Sequence, residues 1–254
     1  MPYADVNDIR MYYEEQGRGT PLVLMHGASS ALDDPVYSWA DLMPSFAERY
    51  RTIHLEHRGH GRTDNPAGKL TYAMIADDVC AFVEQMGLAP AHIAGVSDGG
   101  IVALTIGMTR PDLVRCLVAV GPNYFNDEQV VEANQFADLE RMERETPELM
   151  PVMAARHDRN KAPGWWRELF RQLAENLTVN PAYTEADLQR IPNPTYLIAG
   201  EDDLWGNLNQ MFAMRRAIPN SELLIVNHAP HEVQHTHPWI VGPQVLDFLE
   251  RRSA

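Results

Sequence analysis

The stretch from Ala91 to Thr109 constrains the fold more than any other part of the chain. Ala91–Val96 (AHIAGV) is a short apolar run that reads as a buried strand. Gly95-Val96-Ser97-Asp98-Gly99-Gly100 follows as a glycine-flanked serine, and Ile101–Thr109 is helical in character. The G-x-S-x-G spacing has a steric cause. A sharp strand-to-helix turn forces the serine into a strained backbone conformation with its Oγ projecting, and glycines on either side remove side chains that would collide across the turn. The helix N-terminus behind the serine favours developing negative charge.

The rest of the chain repeats the strand-then-helix order. Pro21–Met25 (PLVLM), Arg51–Leu55 (RTIHL), Leu113–Val120, Thr195–Ala199 (TYLIA) and Glu222–Val226 (ELLIV) are further strand-length runs. Tyr72, Ile75, Val79, Phe82, Val83 and Met86 recur at steps of three and four, one face of a helix, with Thr71 as N-cap and Gly87 as its stop. Val241, Val245, Phe248 and Leu249 mark a closing helix. Alternation of this kind predicts an α/β fold, a mostly parallel sheet flanked by helices, with chemistry gathered beyond the carboxyl ends of the strands. From about Asn123 to Ile191 the alternation breaks into a helical stretch rich in Met, Arg and Glu, and Pro192 and Pro194 mark the return. The expected organisation is a core of residues 1–124 and 192–254 and a helical insertion over 125–191.

Charge narrows the partners. With 21 Lys and Arg against 35 Asp and Glu, the formal net charge is −14. That field repels phosphate backbones and anionic membranes, so neither nucleic acid nor membrane is the expected partner. A small-molecule substrate is expected, and a homo-oligomer stays open because the sequence does not display the oligomeric state. Cys80 and Cys116 have no metal or disulfide spacing and read as core residues. Residues 1–16 show no basic start followed by an apolar run, and no stretch reaches about 18 apolar residues, so a cytoplasmic location is the expectation.

A serine hydroxyl needs a base, and the base needs an acid to orient it. His228, His231, His235 and His237 all follow the last predicted strand, and Glu201, Asp202 and Asp203 follow the one before it. The order serine, acid, histidine is that of the α/β-hydrolases. With His26-Gly27, Arg58-Gly59-His60-Gly61-Arg62-Thr63-Asp64, the serine elbow, Gly200-Glu201-Asp202-Asp203 and His231 ahead of Pro238, the sequence resembles an α/β-hydrolase fold protein with a helical cap. The resemblance covers nearly the whole chain apart from the cap. It implies Asp203 as the acid, three residues after the glycine that ends its strand, and His231 as the base, seven residues before Pro238. It implies an oxyanion hole from the backbone N–H groups of Ala28 and Asp98. His26 and residues 58–64 are expected to be structural.

Asp98 departs from the commonest family elbow and is similar to that of valacyclovirase-like hydrolases, which act on amino-acid esters. Its carboxylate is placed either to pair with a substrate ammonium or to enter a loop network. His231-Glu232-Val233-Gln234-His235 spells H-E-x-x-H, a zinc-protease pattern, but Pro230 and Pro238 leave room for only a short helix, so no metal is expected. The implied activity is that of a cofactor-independent serine hydrolase for a small ester or lactone. C–C bond hydrolysis and cofactor-free perhydrolysis use the same triad, and a receptor with little turnover is the alternative of another class. Serine at the elbow argues against haloalkane dehalogenase or epoxide hydrolase chemistry, which use a carboxylate. Tyr124, Phe125, Trp165, Trp166 and Trp205 are candidate substrate-lining residues.

Overall fold

In the computed structural model, which describes residues 2–253, the strands are β1 (Tyr3–Val6), β2 (Ile9–Gln16), β3 (Pro21–Met25), β4 (Arg51–Leu55), β5 (Ala91–Val96), β6 (Val114–Val120), β7 (Thr195–Gly200) and β8 (Ser221–Val226). They form one sheet in the order β1-β2-β4-β3-β5-β6-β7-β8. From β4 to β8 all neighbours are parallel, while β1–β2 and β2–β4 are antiparallel. The strand expectations hold, with Leu113 displaced from its strand into a 3-10 turn behind Pro111. Strands covered on both faces lose alternation, which is why β5 and β7 are buried at every position.

The hairpin β1–β2 lies where the sequence reading places no strand. Its signal is weak because only Ile9 and Met11 of β2 are buried and the rest of that strand is half-buried or exposed. Its turn carries Asn7 at φ 50°, a conformation asparagine tolerates better than most residues.

Helices cover both faces. They are α1 (Met43–Ala47), α2 (Tyr72–Gln85), α3 (Asp98–Thr109), α9 (Leu208–Ala217), α10 (Val233–Thr236) and α11 (Pro238–Ser253). Between β6 and β7 run α4 (Glu128–Ala133), α5 (Leu139–Glu145), α6 (Leu149–His157), α7 (Trp165–Val179) and α8 (Glu185–Leu188). Thr71 caps α2, accepting from the Met74 N–H at 3.2 Å, and Gly87 ends it at φ +63°. One apolar cluster joins α2, α3 and the helices after β6 on one face of the sheet. The other packs α1 and α11 against the opposite face, around Trp39, Phe46 and Phe248. No helix among the described residues is long and apolar enough to cross a membrane.

The loop after β4 is tied to the core by charge. Arg58 is buried and donates to both carboxylate oxygens of Asp78 at 2.7 and 2.9 Å, to Asp8 at 3.0 Å and to Asn65 at 3.1 Å. Removing one partner of such a pair leaves an uncompensated buried charge, a loss of about 3–5 kcal/mol. This matches the structural role expected of residues 58–64.

Candidate active site

Five loops meet at the carboxyl edge of the parallel strands, after β3, β5, β6, β7 and β8. Ser97 follows β5 at φ 55° and ψ −119° and starts α3. Non-glycine residues reach this region only under strain of about 1–3 kcal/mol. Close packing enforces the turn. A Cβ on Gly95 would stand 2.0 Å from the Gly99 carbonyl carbon, and one on Gly99 would stand 2.7 Å from the carbonyl oxygens of Met25 and His26. The N–H groups of Asp98, Gly99 and Gly100 open the helix, where a helix has no acceptor of its own to offer them.

Asp203 and His231 come together. The His231 Nδ1–H donates to Asp203 Oδ1 at 2.8 Å, so Nε2 is the nitrogen left to accept a proton. Asp203 Oδ1 also accepts from the N–H groups of Trp205 (2.8 Å) and Gly206 (2.9 Å), which fix the carboxylate. Asp203 is 3% exposed and His231 5%. Burial pulls the imidazole pKa down. The charge and hydrogen bond of Asp203, joined by Glu232 and Asp98, outweigh it and leave His231 above its ordinary value.

Gly121 is a site residue the sequence reading missed. It follows β6 at φ +59°, and a Cβ there would lie 2.8 Å from His231 Cε1 and 2.9 Å from Asp203 Oδ2. Its N–H donates to Ile198 O at 2.8 Å, while Val120 O next door accepts from Ser97 N–H at 2.7 Å. The backbone thus passes between Ser97 and the His231–Asp203 pair with no room for a side chain. Glycine at the end of a buried strand beside the serine strand was the available signal.

The loop after β3 reaches Ser97 from the other side. A Cβ on Gly27 would stand 3.2 Å from Ser97 Cβ. His26 Nδ1 contacts Gly27 O at 2.7 Å, and its Nε2 accepts from His57 N–H at 3.1 Å, which puts the proton on Nδ1. A trans peptide points its C=O and N–H in opposite directions. Holding Gly27 O therefore aims the Ala28 N–H. Burial, first, and the neighbouring histidines hold His26 well below its ordinary pKa, so it is neutral.

Asp98 is buried beneath the elbow, and its Oδ1 accepts from the Tyr72 hydroxyl at 2.9 Å. Burial pushes its pKa up to about 6, against the Tyr72 bond and His231. This bond ties the carboxylate to the first turn of α2. The helical period of α2 marks Tyr72 only as a core-facing residue.

The aromatic candidates separate. The Trp205 ring lies 4.6 Å from the His231 ring and its Nε1 donates to Asn134 at 3.1 Å. Tyr37, not anticipated, lies 6.4 Å from His231. Trp165 donates to Gly59 O at 2.7 Å. Trp166 is 2% exposed and packs edge-on against Phe170, the position of a packing residue. Tyr124 is buried against Phe125, which is 37% exposed. In the H-E-x-x-H stretch, α10 begins only after His231, and His235 turns to Asp41 at 2.9 Å. The two histidines thus serve different carboxylates. Among the described residues no group of three or more His, Cys, Asp or Glu is arranged to hold a metal.

Comparison with known proteins agrees with this architecture. Residues 22–239 match the family described as the alpha/beta hydrolase family. An (E)-2-((N-methylformamido)methylene)succinate hydrolase of Acinetobacter baylyi is 23% identical over 96% of this chain and 95% of its own length. A 2-hydroxymuconate semialdehyde hydrolase of Pseudomonas putida is 26% identical over 96% of this chain and 92% of its own. The solved structure of Est816, described as an N-acyl homoserine lactone degrading enzyme, superposes with a TM-score of 0.76 at 25% identity, covering 97% of this chain and 100% of that one. A sheet with its serine elbow after β5, and relatives that are hydrolases along nearly their full length, lead to one conclusion: this chain belongs to the alpha/beta hydrolase family, enzymes of the hydrolase type.

Proposed function

We propose that the chain is a cofactor-independent serine hydrolase that cleaves a small ester or lactone through an acyl-enzyme on Ser97. The observation that carries this reading is the buried His231–Asp203 hydrogen bond of 2.8 Å at the sheet edge that also holds the strained Ser97 elbow. In this mechanism Ser97 Oγ attacks the carbonyl carbon while His231 Nε2 takes the hydroxyl proton. Asp203 keeps the imidazole in the Nδ1–H form and stabilises the imidazolium. The oxyanion of the tetrahedral intermediate lies between the N–H groups of Ala28 and Asp98. The imidazolium then gives its proton to the leaving oxygen. Water, deprotonated by His231, attacks the acyl carbon, releases the acid and regenerates Ser97. None of these steps calls for a cofactor. The helices between β6 and β7 would act as a cap that limits substrate size, with Trp205 and Tyr37 as the aromatic rings nearest His231.

The test is turnover of short-chain p-nitrophenyl esters by wild type and by Ser97→Ala. Wild type is expected to show a burst of p-nitrophenol, and Ser97→Ala to lose at least about a thousandfold in kcat. Undiminished turnover by Ser97→Ala would overturn the nucleophile. Stabilisation by an ester with no turnover in folded wild type would favour the receptor.

A further inference from the structure

Three successive carbonyls of the loop after β3 each meet a different histidine. Gly27 O is held by His26 and Ser29 O by His157 Nε2 at 3.0 Å, while Ala28 O faces Nε2 of a neutral His60 whose Nδ1 lies 2.9 Å from Arg58 O, so that ring donates to one of the two. His26 and His60 belong to the sheet and its β4 loop. The third does not, since His157 is the last residue of α6, in the helical segment between β6 and β7. His157 is fully buried, and its Nδ1 accepts from Gly61 N–H at 3.1 Å. That bond fixes its tautomer with the proton on Nε2, pointed at Ser29 O. The preceding residue, Arg156, donates to the same carbonyl at 2.9 Å and ion-pairs with Asp34 at 3.0 Å, farther along the same loop. Lys161 Nζ, just after α6, donates to Gly61 O.

We infer that His157 is a positioning residue for the oxyanion hole, assisted by Arg156, so that the helical segment sets the geometry of the Ala28 N–H as well as covering the sheet edge. The inference rests on the serine-hydrolase reading above. Its physical basis is the peptide plane. The Ala28 N–H lies in the peptide plane of Gly27 O, which His26 holds, and anchoring Ser29 O two planes further on keeps the following loop from twisting that first plane out of line. A free loop would sample other orientations and lose preorganisation. Misplacement of a catalytic group by about 1 Å is enough to lower a rate by about a hundredfold.

The chemistry of the ring gives a specific test. A glutamine amide nitrogen can stand in for Nε2 and keep the bond to Ser29 O. An asparagine amide oxygen can stand in for Nδ1 and keep only the bond to Gly61 N–H. His157→Asn is expected to lose about ten- to a hundredfold in kcat on a p-nitrophenyl ester, with KM within about twofold. An alkyl trifluoromethyl ketone, whose adduct with Ser97 carries an oxyanion, should weaken by the same factor. His157→Gln should recover to within about threefold of wild type on both readouts. Arg156→Met should show a smaller loss of the same kind, and it keeps the test open if the position-157 variants fail to fold. Equal behaviour of the Asn and Gln variants, or trifluoromethyl ketone affinity unchanged in His157→Asn and Arg156→Met, would overturn the inference. If Ser97→Ala is inactive and these variants behave so, only the inference fails. If Ser97→Ala stays active, the serine-hydrolase reading itself falls.

Discussion

On one side of Ser97, across β6 and β7, His231 faces a carboxylate; on the other, beyond β3, His26, His57, His60 and His157 face backbone groups and one another. Both sets are buried. Their protonation differs because their partners differ. A carboxylate compensates the imidazolium, so His231 sits above its usual pKa despite burial. The β3 side has no such partner within its stack of rings, 4.1 to 5.9 Å apart from His26 to His157. Burial there dominates, holding His26, His57 and His157 well below their ordinary value and His60 at about 4. Burial alone therefore does not make a histidine a base or a prop. The group opposite it does.

The largest way to break this contrast is to remove the carboxylate. Asp203→Asn should drop kcat by about ten-thousandfold, because the amide can donate to Nδ1 and trap the wrong tautomer. The acid limb of kcat/KM should also move to lower pH in that variant. In wild type that limb should report a pKa above 6.5, with activity falling about tenfold per pH unit beneath it.

Stability should answer to the other cluster. Between about 6.5 and 4 the unfolded chain binds protons on His26, His57, His60 and His157 that the folded chain refuses, so Tm should fall as pH drops through that window. His54, held at about 3, and His92, at about 4, add to the same trend. Glu56, raised by burial to about 7, opposes it, since its contribution is greatest below about 4.5 and disappears as pH rises through 7. Asp98, raised by burial to about 6, and Asp78, also raised by burial, oppose it in the same sense; three carboxyls against six histidines leave the fall dominant.

Within the β3-side cluster, His60→Ala removes the buried ring that lies between Arg58 O and Ala28 O. It should cost about 1–3 kcal/mol in urea unfolding. The smallest effect belongs to His235, half-exposed and paired with Asp41. His235→Ala should stay within about 0.5 kcal/mol of wild type, with activity unchanged by chelators.

The sequence displayed the sheet well because parallel strands buried on both faces read as unbroken apolar runs. It displayed the elbow through the spacing its turn demands, whereas Asp203 and His231 stood out from their neighbouring acids and histidines only through the resemblance to the α/β-hydrolases. The hairpin of β1 and β2 was hidden by its partial exposure. Tyr72 looked like any core aromatic on α2, since nothing in a helical period tells where a hydroxyl ends. His157 was invisible for a deeper reason. Its partners are Ser29 O and Gly61 N–H, and every residue carries such groups, so a bond to the backbone leaves no mark on the partner's identity. Gly121 was legible in principle, as a glycine closing the strand next to the serine strand, but its meaning depends on what stands across from it.

The backbone of Ser97, at φ 55°, has a consequence for how such a protein would drift under selection. Glycine would occupy that conformation without the strain serine bears there, so a Ser97→Gly variant should tolerate heat better than its parent. A screen that rewards survival at high temperature and nothing else would drive the chain toward that change. Continued presence of a side chain at this position has to be maintained by a demand other than folding.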